Sequence, residues 1–158
     1  MYKKMLKRTK GIIAGAFIIV GMLGSTFPVH AANVTDTDVS IRVESVSKSF
    51  KTASTRPKYD NTKVYVKLTS SPTTYIQVRT YGNRKTASTY YNETNGITAT
   101  VQRSVPSSIT NFIYENRNEY SGSSTLKAQL RLRSNTSTSG TVTGVWSPDS
   151  TRNYTVVN

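Results

Sequence analysis

Seven short stretches of this chain alternate apolar and polar residues with a period of two, and that rhythm most narrows the folds open to it. The cleanest sets Leu126, Ala128, Leu130 and Leu132 against Lys127, Gln129, Arg131 and Arg133. Successive side chains of an extended strand point to opposite faces, so each such stretch has one apolar face and one wet face. Val39, Ile41 and Val43 repeat the pattern, as do Val64, Val66 and Leu68, then Ile76, Val78 and Thr80, then Ile97, Ala99 and Val101. Residues 141–146 and 152–157 are two further candidates. Each strand must cover its apolar face. An all-β, antiparallel β-sandwich of about seven strands does so by facing two sheets together. Composition agrees: serine and threonine make up about a third of residues 32–158, a bias toward pleated, half-wet surfaces.

Turn signals divide these stretches. Ser71-Pro72 is short enough to predict a hairpin between the second and third strands. Asn95-Gly96 is a strong turn dipeptide. Ser147-Pro148-Asp149 interrupts the chain before the last strand. Ile109, Phe112 and Ile113 stand at helical spacing behind Ser107 and Ser108, which predicts one or two helical turns closing an end of the sandwich. The pentapeptide Lys51-Thr52-Ala53-Ser54-Thr55 recurs as Lys85-Thr86-Ala87-Ser88-Thr89 without a third copy. Both copies read as polar loops, as does the segment holding Tyr90 and Tyr91.

The first residues lie outside this pattern. Lys3, Lys4, Lys7, Arg8 and Lys10 precede an apolar run over residues 11–27, followed by Val29-His30-Ala31. Basic, apolar and small-residue segments in that order form a cleavable export signal, expected to be helical. The rival is an uncleaved membrane anchor. The expected organisation is a signal peptide over residues 1–31 and one secreted, extracellular β-sandwich over residues 32–158.

That domain contains no His, Cys or Met. Nucleophilic triads need an imidazole to move the proton, and the only histidine, His30, lies in the signal. No disulfide framework can form, and zinc and copper lack their preferred ligands. Glu115 and Glu119 would share a helical face, as paired glycosidase carboxylates must share a cleft, but Arg117 lies between them and a solvated loop is the simpler reading. Asp36 and Asp38 with Asn33 and Thr35 make only a sparse oxygen cluster for calcium. The expectation is no enzyme, no metal and no cofactor.

Charge and phenol rings remain. Sixteen basic against eight acidic residues give residues 32–158 a net charge of +8. Such a surface attracts polyanions, while the scatter of the cations along strands argues against dedicated nucleic-acid binding. If the second and third strands are neighbours, Lys63, Tyr65, Lys67, Tyr75, Arg79 and Tyr81 fall on one outward face, with Arg131 and Arg133 as a second stripe. Such a face suits a sugar, a lipid headgroup or a protein; the plain alternative is cross-strand packing of tyrosines. Trp146 is expected in the core.

Residues 61–72, Asn-Thr-Lys-Val-Tyr-Val-Lys-Leu-Thr-Ser-Ser-Pro, resemble the first block of a family of small exported Gram-positive proteins catalogued only as a domain of unknown function. Residues 113–116 running into 126–133, and residues 139–150, resemble two further blocks. Genes of that family often lie beside bacteriocin-type transporters, which implies a bacteriocin-associated role. The plan of export signal plus small β-domain, and Gly144-Val145-Trp146, are similar to lactococcin 972-like bacteriocins, which are much shorter. The resemblance implies no catalytic residue. The expected function is therefore a secreted cationic binding protein docking on an anionic cell-wall polymer or membrane surface, with a protein partner also open. A self-associating matrix protein is the alternative, then a carboxylate-dependent glycan enzyme. The sequence sets no oligomeric state.

Overall fold

A computed structural model of the chain describes residues 34–83, 89–116 and 125–158. The export signal expected over residues 1–31 lies outside them, as do Glu119 and most of the second pentapeptide. Among the described residues no helix is long and apolar enough to cross a membrane.

The fold is all-β. Among the described residues ten strands follow in order: β1 (Thr37–Val43), β2 (Lys51–Pro57), β3 (Val64–Ser70), β4 (Tyr75–Asn83), β5 (Tyr90–Asn92), β6 (Ala99–Gln102), β7 (Ser107–Ile109), β8 (Lys127–Ser134), β9 (Gly140–Ser147) and β10 (Thr155–Val156). They form two sheets. The first has the order β1-β9-β3-β7-β10; the second has the order β2-β8-β4-β5, with β6 also on β4. All pairs are antiparallel except β10 with β7.

The alternation dictates the packing. Along β8 the inward residues Ala128, Leu130 and Leu132 are wholly buried while Lys127, Gln129, Arg131 and Arg133 stay half-exposed. Ile76 and Val78 of β4 and Ala99 and Val101 of β6 complete the inner face of the second sheet. Val39, Val43, Val64, Val66, Leu68, Val142 and Trp146 face them from the first. Trp146 is fully buried, as expected for the lone indole.

Five expectations change. Ser71-Pro72 does not close a hairpin: β3 pairs with β7 and β9, whereas β4 lies in the other sheet. The short link is a crossover, because both strands need central positions with partners on each side, which they find in distant segments. Residues 107–109 are strand rather than helix. The free edge of β3 accepts them, pairing Val64 with Ile109 and Val66 with Ser107, and backbone groups bound there cannot also close helical turns. One turn follows downstream, where Asn116 N–H donates to Phe112 O at 3.0 Å. The first pentapeptide is strand β2, not loop, held on β8 with a bulge between Thr52 and Ser54. Tyr90 and Tyr91 likewise lie in a strand, β5, on the edge of β4. Ile97 leaves the alternating pattern: its φ is +76° and its side chain 65% exposed, beside Gly96 in the expected turn.

Candidate functional site

On an antiparallel pair, directly opposed residues share a face. β4 and β8 place Arg79 opposite Arg131, Gln77 opposite Arg133 and Tyr81 opposite Gln129, all turned away from the core. The three arginines among the eight expected contact residues, together with Tyr81, therefore converge on the outer face of the second sheet.

The loop before β2 folds over them. Phe50 lies under two guanidiniums, with Arg79 Cζ and Arg133 Cζ each 4.3 Å from its ring centre. Arg131 Cζ stands 3.9 Å from the centre of the Tyr81 ring. Guanidinium over an aromatic face is a favourable cation–π contact. Between loop and sheet is an open groove of about 520 Å³, lined by Ser47, Lys48, Ser49, Phe50, Arg79, Tyr81, Arg131 and Arg133. The lining carries four cations and no carboxylate.

Neutral acceptors fix the arginines. Arg79 Nε donates to Thr98 Oγ1 at 2.9 Å. Arg131 donates through Nε and Nη2 to Gln129 Oε1 at 3.1 and 2.8 Å. Arg133 donates through Nε and Nη2 to Gln77 Oε1 at 3.0 and 2.6 Å, and through Nη1 to Lys48 O at 3.0 Å. Burial, and then the like charge of Arg79, lowers the pKa of Arg133. The groove thus holds positive charge that its own hydrogen bonds orient but do not neutralise.

The remaining expected residues separate. Tyr75 is on β4 but at its far end, opposite Gln102 and 43% exposed. Lys63, Tyr65 and Lys67 belong to the first sheet or its approach, so the single face drawn through both groups does not exist; the crossover at Ser71-Pro72 divides it. Lys67 is exposed there. Tyr65 is outward but only 4% exposed, because Tyr154 stacks on it at 5.3 Å and Arg152 lies 4.5 Å over its ring. Burial raises the pKa of the Tyr65 phenol, with Asp36 and Tyr154 adding to the rise and Arg152 opposing it. Lys63 joins Arg152 in a second, shallower recess of about 400 Å³.

Phe50 and Lys48 were missed by sequence reasoning. Phe50 lies among Ser49, Lys51 and Thr52 with no periodic partner, and only the distant pairing of β4 and β8 gives it a role. Among the described residues no group of three His, Cys, Asp or Glu side chains is placed to hold a metal ion; Asp36 is instead engaged by Arg152 Nη1 at 2.8 and 2.9 Å.

Residues 27–150 match the model of a family described as "Protein of unknown function (DUF2712)". No curated protein and no solved structure matches the chain.

Proposed function

We propose, from the premise that this chain belongs to the DUF2712 family of proteins of unknown function, that it is an exported cationic binding protein whose working surface is the outer face of β4 and β8. Its partner is anionic cell-envelope material, and its role is bacteriocin-like or bacteriocin-associated. The observation that carries this is the groove at Arg79, Arg131 and Arg133, with Lys48 beside them and no carboxylate in its lining. Like charges opposed across a sheet are unfavourable, so a cross-strand arginine pair is an arrangement that an anion would relieve. Fixed, half-buried guanidiniums also lose less freedom on binding than extended lysines in solvent.

Cosedimentation of the secreted domain with purified cell walls across a salt series tests the reading. Binding should weaken steeply with salt, since exposed charge is screened over about 8 Å at physiological ionic strength. Arg79→Gln/Arg131→Gln should abolish most of it, and Lys63→Gln/Lys67→Gln should change it little. Binding indifferent to salt, or lost equally in both variants, rejects the assignment to this groove.

A further inference from the structure

We infer that the groove selects a phosphodiester-linked polyol, with one phosphate bridging Arg79 and Arg131. This rests on the reading above and narrows it to a ligand class.

The two arginines are directly opposed on β4 and β8. Each is tied down on one side. Arg79 uses Nε on Thr98, and Arg131 uses Nε and Nη2 on Gln129. Among the described residues, those bonds leave both Nη nitrogens of Arg79 and Nη1 of Arg131 as donors without an acceptor. Arg133 differs: Nε, Nη1 and Nη2 are all engaged by Gln77 and Lys48. Arg133 therefore supplies field and floor, while Arg79 and Arg131 supply donors.

The ligand's geometry follows from theirs. A guanidinium fork takes a carboxylate or a phosphate alike, so what separates the two polymers is where the charge lies: at the end of a side chain in an acidic polypeptide, within the backbone in a phosphodiester chain. Two guanidiniums directly opposed on neighbouring strands and lining one groove fit an anion that offers a separate oxygen to each. A diester keeps two such oxygens free for the two arginines and continues along an open groove in both directions.

The rest of the lining decides what the phosphate is attached to. Single-stranded nucleic acid binds through bases stacked on aromatic faces. Here both aromatic rings already hold guanidiniums, Phe50 at 4.3 Å and Tyr81 at 3.9 Å. A lipid anchor needs aliphatic side chains at the site, and none lines this groove. Ser47 and Ser49 are part of its lining, hydroxyls suited to the hydroxyls of a polyol.

The test is calorimetric titration of the secreted domain with four probes at matched charge concentration: poly(glycerol phosphate), polyglutamate, phosphatidylglycerol vesicles and single-stranded DNA. Poly(glycerol phosphate) should bind at least about tenfold tighter than polyglutamate, the excess coming from one backbone phosphate shared by two guanidiniums. Arg79→Lys and Arg131→Lys keep the charge and lose the planar guanidinium. Each should weaken poly(glycerol phosphate) by about tenfold and leave polyglutamate unchanged. Equal affinity for both polymers, with the lysine variants neutral, overturns the phosphodiester inference and leaves anionic docking intact. Tighter binding to vesicles or DNA than to poly(glycerol phosphate) also overturns it. Binding to none of the four removes both the inference and the reading beneath it.

Discussion

Lys58 Nζ and Asp149 Oδ1 lie 3.1 Å apart, and neither side chain has exposed surface. Lys58 follows β2 of one sheet; Asp149 follows β9 of the other, 91 residues away. The ammonium also donates to Thr62 O and Pro148 O, both at 2.8 Å, and Asp149 Oδ2 accepts Tyr59 N–H at 3.0 Å. Burial lowers the pKa of Lys58, while the charge and hydrogen bond of Asp149 pull the other way. Three acceptors around one ammonium offset the desolvation that such a pair otherwise costs. In a domain without cysteine, this is a polar tie between the layers.

Removing one member should be severe. Asp149→Ala leaves a buried ammonium without its counter-charge and should cost about 3–5 kcal/mol of unfolding free energy in urea titration. Lys58→Met with Asp149→Leu should cost clearly less than the two single changes added together, because no charge stays buried. Additive losses would show that the two groups do not act as a pair.

The acid limb of stability should depend on Asp60. Burial alone would raise its pKa, but hydrogen bonds from the Thr62 side chain and amide, together with the charge of Lys58, bring it below the ordinary value. A depressed carboxyl binds fewer protons folded than unfolded, so its contribution is present above the ordinary aspartate value of about 3.9 and is lost as pH falls through the folded value. Melting curves from pH 2 to 6 should show a steeper acid loss in the native chain than in Asp60→Asn. Coincident limbs would contradict this.

Phe50 should matter through its ring and not its volume. Phe50→Leu keeps apolar area but loses two guanidinium contacts, each worth about 0.5–1 kcal/mol, so a loss of about 1–2 kcal/mol is expected. Phe50→Trp should retain most of the stability. Equal losses in the two variants would mean that packing, not the ring face, holds the loop.

Gly144 should tolerate no side chain. It sits in β9 opposite Val39 of β1 and Leu68 of β3. A Cβ there would fall 2.3 Å from Lys67 O and 2.8 Å from Leu68 Cα, both backbone atoms. Gly144→Ala must push the strands apart and should cost about 1–3 kcal/mol or more. A neutral effect on the urea midpoint would show that β3 and β9 can separate cheaply.

The strands rich in Val, Leu and Ile were legible because burial on one face leaves a period of two; β8 and β4 follow their alternation closely. β2 was not, since Lys-Thr-Ala-Ser-Thr-Arg-Pro offers only Ala53 to the core and gains its structure from the edge of β8. β7 was read as helix because Ile109, Phe112 and Ile113 fit a helical spacing, a local pattern overruled by the open edge of β3. Arg79, Tyr81, Arg131 and Arg133 were correctly picked as outward residues. That they meet, while Lys63, Tyr65 and Lys67 do not join them, depends on sheet assignment, which no short-range pattern encodes. The Lys58–Asp149 tie spans 91 positions and leaves no local signal.

Among the described residues only β4 and β5 join sequence neighbours as a paired hairpin; links such as β1 to β2, β2 to β3, β3 to β4 and β8 to β9 hop between layers. A nascent segment therefore meets its hydrogen-bonding partner only after much of the remaining chain has arrived. Barriers of that kind place folding of all-β domains in the millisecond-to-second range or slower. The polypeptide would then spend an interval with its strand edges unpaired before the two layers close on each other.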